Sequence, residues 1–354
     1  MPDHRKLNTV VVPTLGGVAI FIGLLLSTLI YLKGNSSPGF RYLFAAIIMM
    51  FFIGIKDDIM VISARKKFLV QFAAAFLLVV FGDFRLVHPY GFAGLAQLND
   101  WISIPFSVLF VLFLINALNL IDGIDGLASG VALLISATLG TWFYLAGYSD
   151  YGIACFALSG SLLAFLRFNL WGGENKVFMG DTGSLILGVF LAAMVIKFSE
   201  LNYMTFNEFY LEQAPLIALG LFIVPITDTL RVFAVRIYNK RSPFSPDMNH
   251  FHHLLIRSGL THIQASGFLV TYTILFTLIA LTLQHYLDIT SGFLFMLIAS
   301  FSSVGLIYRR TKLIEARVEN EGALDAEPKT IRMMSWKRSS DGLETYRKGK
   351  TFYR

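Results

Sequence analysis

Asn116-Ala-Leu-Asn119-Leu-Ile-Asp122-Gly-Ile-Asp125-Gly-Leu-Ala-Ser-Gly130 is a polar hinge between two long apolar runs, Ile102 to Ile121 and Leu127 to Ala146. A helix needs about 20 apolar residues to cross a bilayer, so the hinge joins two spans at one membrane edge. At the start of the second span the backbone N–H groups lack partners and the helix dipole is positive, which favours anions. Two amides, two carboxylates and three glycines exceed what capping a helix requires. Glycine also lets backbone approach a ligand closely. The hinge is suited to phosphate or nucleotide.

The same alternation runs through the whole chain. Of 354 residues, 55% are hydrophobic and 15% charged, and the mean hydropathy is +0.64. This composition excludes an ordinary soluble domain and predicts an all-α, polytopic integral membrane protein. Ten helices are expected: Gly16 to Leu32, Gly39 to Ile55, Phe68 to Phe81, Ile102 to Ile121, Leu127 to Ala146, Tyr151 to Phe168, Ser184 to Phe198, Ala214 to Val235, Ala265 to Leu283 and Gly292 to Tyr308. Short members such as Phe68 to Phe81 must borrow flanking residues or be shielded by neighbours. Pro215 and Pro225 should bend the eighth. A short hairpin is expected in the loop from Gly82 to Trp101.

Charge fixes the orientation. Of 29 lysines and arginines, 25 fall in the N-terminal segment, the loop ending at Lys67, the Arg167 and Lys176 connection, the stretch from Arg231 to Arg257 and the tail from Arg309. The other side keeps only Lys33, Arg41, Arg85 and Lys197. By the positive-inside rule both termini and all the acidic loops are cytoplasmic. The net charge of +6 sits in juxtamembrane loops and tail, where anionic membrane lipids rather than nucleic acid are the partner. Residues 1–308 read as one transmembrane domain and 309–354 as a basic, mobile cytoplasmic tail. Met1 to Pro13 has no apolar stretch of a cleavable signal. Cys155 lies in an apolar helix and reads as a small core residue.

Two further loops at the cytoplasmic edge carry acids. Lys56-Asp57-Asp58 closes the second helix, and Arg65-Lys66-Lys67 opens the third, a turn able to handle phosphate and metal together. Phe178-Met-Gly-Asp181-Thr-Gly-Ser184 places a carboxylate and two hydroxyls ahead of the seventh. Five carboxylates on one face repel one another unless a cation or basic groups join them. Mg²⁺ takes hard oxygen donors, commonly one or two carboxylates plus substrate phosphates, and Asp181 is the expected ligand. The loop Asn239 to His253 is rich in histidine, yet Lys240, Arg241 and Arg257 disfavour zinc there. The same cations with His250, His252 and His253 suit a sugar diphosphate. Asp228 and Arg231, three apart, are placed to pair, as a structural ion pair or as part of the site.

With these motifs in view, the chain resembles the polyprenyl-phosphate N-acetylhexosamine-1-phosphate transferases, the WecA/MraY type of membrane enzyme. The likeness runs from Pro2 to about Leu260. It comprises Pro2-Asp-His-Arg-Lys6 with Pro13 and Gly16-Gly17, the Asp57-Asp58 pair, the Asn116 to Gly130 hinge, Phe178 to Ser184, and Ser242-Pro-Phe with His250, His252 and His253. Members of this family usually carry another helix ahead of the first motif. The resemblance implies transfer of an N-acetylhexosamine 1-phosphate, GlcNAc-1-P above all, from a UDP-sugar to undecaprenyl phosphate with release of UMP. It implies Mg²⁺, with Mn²⁺ as a substitute, and the bacterial inner (plasma) membrane. It assigns the metal to Asp181 with Asn119. It sets Gly123, Ile124, Asp125 and Phe178 about the uracil, Asp57, Asp58 and Lys67 at the lipid phosphate, and the three histidines at the diphosphate or sugar of the nucleotide sugar, with Asn116 and Arg241 as further substrate-binding residues. Asp122 and Asp125 join Asp57, Asp58 and Lys67 as expected catalytic residues. A homodimer is compatible with the sequence. The His-x-His-His form resembles the N-acetylglucosamine branch, which leaves the phospho-N-acetylmuramoyl-pentapeptide transferases of peptidoglycan lipid synthesis as runner-up. An anion or nucleotide-sugar transporter is the alternative from another class, but it would line a path near the bilayer midplane with ionisable groups, and here they gather at one edge.

Overall fold

The structure is a computed structural model that describes residues 13–32, 37–60, 62–205, 208–240 and 250–325, the side chains of the last stretch through residue 316. The described residues are helical and contain no strand. In order the helices are α1 (Gly16–Tyr31), α2 (Gly39–Ile59), α3 (Ala64–Phe76, continued by a π-helical turn to Phe81), α4 (Asp100–Ile121), α5 (Leu127–Leu145), α6 (Ser149–Trp171), α7 (Gly180–Tyr203), α8 (Ala214–Leu221), α9 (Ile223–Tyr238), α10 (Phe251–Arg257), α11 (His262–Leu283) and α12 (Ile289–Asp325). Among the described residues, seven are long and apolar enough to cross a membrane, or eight if the bent pair α8 and α9 is one span. The sequence predicts ten. The difference lies in α1, which has 16 residues, and α3, which has 13 before its π turn.

The bundle is built around α7. Of its apolar window 83% is buried, against at most 61% in any other span, and it packs on α1, α2, α4 and α5. Small residues bring the backbones into contact. A Cβ on Gly17 would stand 2.3 Å from the amide nitrogen of Gly183, and one on Gly54 2.4 Å from Cα of Thr182. Those distances are far inside van der Waals contact, so only glycine allows α1 and α2 to lie on the start of α7. The close approach at Gly54 places Asp57 and Asp58, one turn further on, beside Asp181.

Several boundaries differ from the pattern in the sequence. α2 runs through Ile59, so Asp57 and Asp58 sit in its last turn rather than beyond it. α7 starts at Gly180 rather than Ser184, which puts Asp181 in its first turn. α8 and α9 meet at a 72° bend just before Pro225, whereas Pro215, expected to bend the same span, sits in the first turn of α8 and does not. α12 continues past Tyr308 to Asp325, so the first part of the expected tail is helix. The loop after Phe81 pairs its arms in hairpin fashion without strand geometry, with Leu98 N donating to Val87 O at 2.8 Å. Cys155 is fully buried in the core.

Candidate active site

At one end of the bundle Asp58, Asn119, Asp122, Gly123, Ile124, Asp125, Phe178 and Asp181 line a single cavity of about 540 Å³. Three turns, the end of α2, the α4–α5 hinge and the start of α7, converge there. Asp58 accepts hydrogen bonds from Asp181 N (2.8 Å), Thr182 N (3.0 Å) and Thr182 Oγ1 (2.6 Å). It thereby caps α7 from another helix, since Met179 at the cap position supplies no side-chain bond. Gly180 has φ +70°, and a Cβ there would stand 2.7 Å from both carboxylate oxygens of Asp58. Glycine is required at that position on both counts.

Lys67 joins the acids into a chain. Its ammonium group donates to Asp57 Oδ2 at 3.0 Å and to Asp181 Oδ1 at 2.8 Å. Asp57 also accepts from Ile62 N at 2.8 Å. Asn119 turns its amide nitrogen to Asp181 Oδ1 (2.6 Å) and to Ser184 Oγ (2.7 Å). Of Asn119, the expected second metal ligand, the nitrogen is thus engaged with Asp181 and Ser184, and the amide oxygen is the atom left to meet a cation.

Asp122 stands apart. Among the described residues no hydrogen bond or ion pair reaches its carboxylate. Burial, and after it the neighbouring Asp181, Asp58 and Asp125, push its pKa up to about 7. Among the described residues no three carboxylate, imidazole or thiolate groups are grouped to hold a metal by themselves. The cavity therefore offers an unpaired, half-buried acid and hard oxygen donors, short of a closed cage.

The hinge is held by groups that the sequence does not single out. Asp125 Oδ2 accepts from Lys176 Nζ at 2.7 Å and faces His262 Nδ1 at 3.3 Å. Its backbone oxygen accepts from Ser266 Oγ at 2.6 Å. Asn169 clamps two loops, accepting from Gly126 N at 2.8 Å and donating to Val177 O at 2.9 Å. These partners lie 43 to 141 positions from the hinge residues they touch, beyond any local spacing, and only the basic character of Lys176 signals one of them.

Other expected residues fall as follows. Asn116, one turn before Asn119, faces α3 and donates to Gln71 Oε1 at 3.2 Å and to Leu112 O at 2.8 Å. It does not line the cavity, because the helix turns it about 60° from Asn119 toward a buried glutamine. His252 is brought against the hinge, where a Cβ on Gly123 would stand 2.3 Å from its Nε2. Its ring is buried and neighbours His253, and both effects push its pKa down to about 3, so it is neutral. His250 and His253 complete the group, with His252 and His253 ring centroids 4.3 Å apart. Asp228 and Arg231 pair at 3.1 Å as expected. Arg241 and the motif from Pro2 to Lys6 lie outside the described residues.

The chain is similar to known proteins across most of its length. The sequence model named "Glycosyl transferase family 4" matches residues 40–199. An undecaprenyl-phosphate alpha-N-acetylglucosaminyl 1-phosphate transferase of Haemophilus influenzae is 34% identical over 268 residues, 75% of this chain and 73% of the relative. A probable undecaprenyl-phosphate N-acetylglucosaminyl 1-phosphate transferase of Bacillus subtilis is 32% identical over 313 residues, 86% of this chain and 82% of the relative. A relative in Yersinia pestis with the first of these names is 29% identical over 267 residues, 75% of this chain and 71% of the relative.

Proposed function

Since the chain belongs to glycosyl transferase family 4, we propose that it transfers N-acetylglucosamine 1-phosphate from a UDP-sugar to undecaprenyl phosphate and releases UMP, at the cytoplasmic face of the bacterial plasma membrane. The observation that carries this reading is the unpaired Asp122 carboxylate among Asp58, Asp125 and Asp181 in one cavity. A half-buried acid crowded by three others is costly to ionise until a cation arrives. The names of the relatives supply the acceptor and the sugar. The reaction begins a cell-wall or surface polysaccharide.

The donor set fits Mg²⁺, with Asp122 and Asp181 the carboxylates to hold it and Asn119 to orient Asp181. Two carboxylates with the remaining positions left to water and phosphate are this ion's ordinary coordination. When bound, the ion neutralises charge on the diphosphate. Phe178, Gly123 and Ile124 form the wall for the uridine. Lys67, held between Asp57 and Asp181, is placed to meet a phosphate. A phosphate monoester has its second pKa near 6 and is largely ionised at neutral pH, so a lipid phosphate oxygen can attack the β-phosphorus without a strong base. Asp57 then positions the attacking lipid phosphate through Lys67, and UMP departs in one in-line displacement. Asp58 serves this chemistry by holding the start of α7.

The test is purified protein incubated with Mg²⁺, undecaprenyl phosphate and a panel of radiolabelled UDP-sugars. Labelled lipid and UMP from UDP-N-acetylglucosamine are expected. Product from no sugar in the panel would overturn the reading, and product from the UDP-N-acetylmuramoyl pentapeptide alone would move it to peptidoglycan lipid synthesis.

A further inference from the structure

Asp228 lies in the second turn of α9, almost wholly buried. Arg231, one turn on, donates to its Oδ1 at 3.1 Å, which would suffice for a structural ion pair. The carboxylate does more. Its Oδ1 also accepts from Phe251 N at 2.8 Å, and Oδ2 meets His250 Nδ1 at 3.0 Å. Both of those partners lie 22 and 23 residues further along the chain, at the threshold of the short helix α10 that carries His252 and His253. Phe251 N is the first orphan donor of α10, and His250 before it contributes no side-chain cap of its own.

The chemistry of the pair is one-sided. An ionised carboxylate only accepts, so Nδ1 of His250 must carry the proton, and in the neutral ring Nε2 is then the acceptor. Meanwhile the anchored helix presses His252 against Gly123 of the carboxylate hinge. From these contacts we propose that Asp228 is a positioning residue: it fixes His250 in the Nδ1–H form and pins α10, and so sets where His250, His252 and His253 stand over the Asp122 to Asp125 hinge. The proposal rests on the reading that the histidines contact the nucleotide sugar. A carboxylate that orients a metal-bound imidazole in this way matters about 10–100-fold to affinity or activity when removed, and a loss of the same order is expected here.

Two measurements on the full chain in lipid nanodiscs test it. The first is magic-angle-spinning NMR of ¹⁵N-histidine-labelled protein, with the His250 signal assigned from its loss in His250→Ala. His250 protonated at Nδ1 in the wild type, and shifted toward the Nε2–H form in Asp228→Asn, is the expected result. His250 protonated at Nε2 in the wild type would overturn the proposal whether or not the protein is active. The second is kinetic. Asp228→Asn should lower kcat/KM for UDP-N-acetylglucosamine about 10–100-fold, with KM for undecaprenyl phosphate unchanged, and should cost less in a His250→Ala background, where only the bond to Phe251 N is left to weaken. Wild-type kcat/KM in Asp228→Asn, or losses that add in the double variant, would equally overturn it. Failure of the functional reading looks different: the wild type would form no labelled lipid while the NMR experiment still reports the tautomer.

Discussion

Replacing Asp58 by alanine should loosen the start of α7, and the size of the effect follows from three bonds. The carboxylate accepts from Asp181 N, Thr182 N and Thr182 Oγ1 at 2.8, 3.0 and 2.6 Å. Hydrogen bonds to a charged acceptor contribute about 1.5–3 kcal/mol each, but three on one carboxylate do not add. Water from the adjoining cavity would also reach the freed donors, so the expected cost is about 2–4 kcal/mol, above the roughly 0.5–2 kcal/mol of an ordinary helix cap because three charged bonds are lost. Asp58→Asn keeps one acceptor oxygen and should lose roughly half as much. Detergent-solubilised membrane proteins commonly unfold irreversibly, so midpoints are compared at one scan rate by tryptophan fluorescence. The expected order is Asp58→Ala lowest, Asp58→Asn between and wild type highest, with turnover falling in parallel because Asp181 begins the loosened helix. A wild-type midpoint in Asp58→Ala would refute the capping role, and an inactive but fully stable variant would place Asp58 at the substrate instead.

Three further outcomes are expected. Gly123→Ala puts a Cβ 2.3 Å from His252 Nε2, so it should push α10 off the hinge and reduce kcat/KM at least about tenfold, at a stability cost of about 1–3 kcal/mol; steady-state kinetics with melting curves check both. Asp122, with its pKa pushed up to about 7 in the fold, holds its proton more tightly there than in the unfolded chain. Its contribution to stability is therefore present below about pH 4 and lost as pH rises through 7, by at most about 1.4 kcal/mol per pH unit. Melts in EDTA should fall between pH 5 and 8, Mg²⁺ should restore the midpoint at pH 8, and Asp122→Asn should flatten the profile. His252 shifts the other way, its pKa pushed down to about 3. Its neutral ring contributes stability that is complete above about pH 6.5 and lost as pH falls toward 3, an acid limb that His252→Gln should shorten in the same melts.

Much of this molecule is legible in its sequence because a bilayer simplifies the reading. Apolar runs of fixed length mark the spans, and charges mark which ends lie together, so the gathering of Asp58, Asp122, Asp125 and Asp181 around one cavity follows from hydropathy and loop order. The bend between α8 and α9 follows from proline. What hydropathy cannot show is where a helix begins inside a polar turn: α7 starts at Gly180 because Asp58, 123 positions earlier, caps it. It cannot show rotation about a helix either, which is why Asn119 faces the cavity and Asn116 faces Gln71. The hold of Lys176, His262 and Ser266 on Asp125 is a tertiary matter with no local period. Asp228 and Arg231 show the same limit, since their spacing announces a pair but not its bonds to His250 and Phe251.

The central claim is that Asp122 and Asp181, from two turns at one end of the bundle, take up one divalent ion together with the diphosphate of a nucleotide sugar. Electron paramagnetic resonance of Mn²⁺, titrated into nanodisc-embedded protein with and without UDP-N-acetylglucosamine, tests it most directly. Bound Mn²⁺ that tightens with the nucleotide sugar and is lost in both Asp181→Asn and Asp122→Asn is the predicted result. Unchanged Mn²⁺ binding in both variants, with turnover intact, would contradict it.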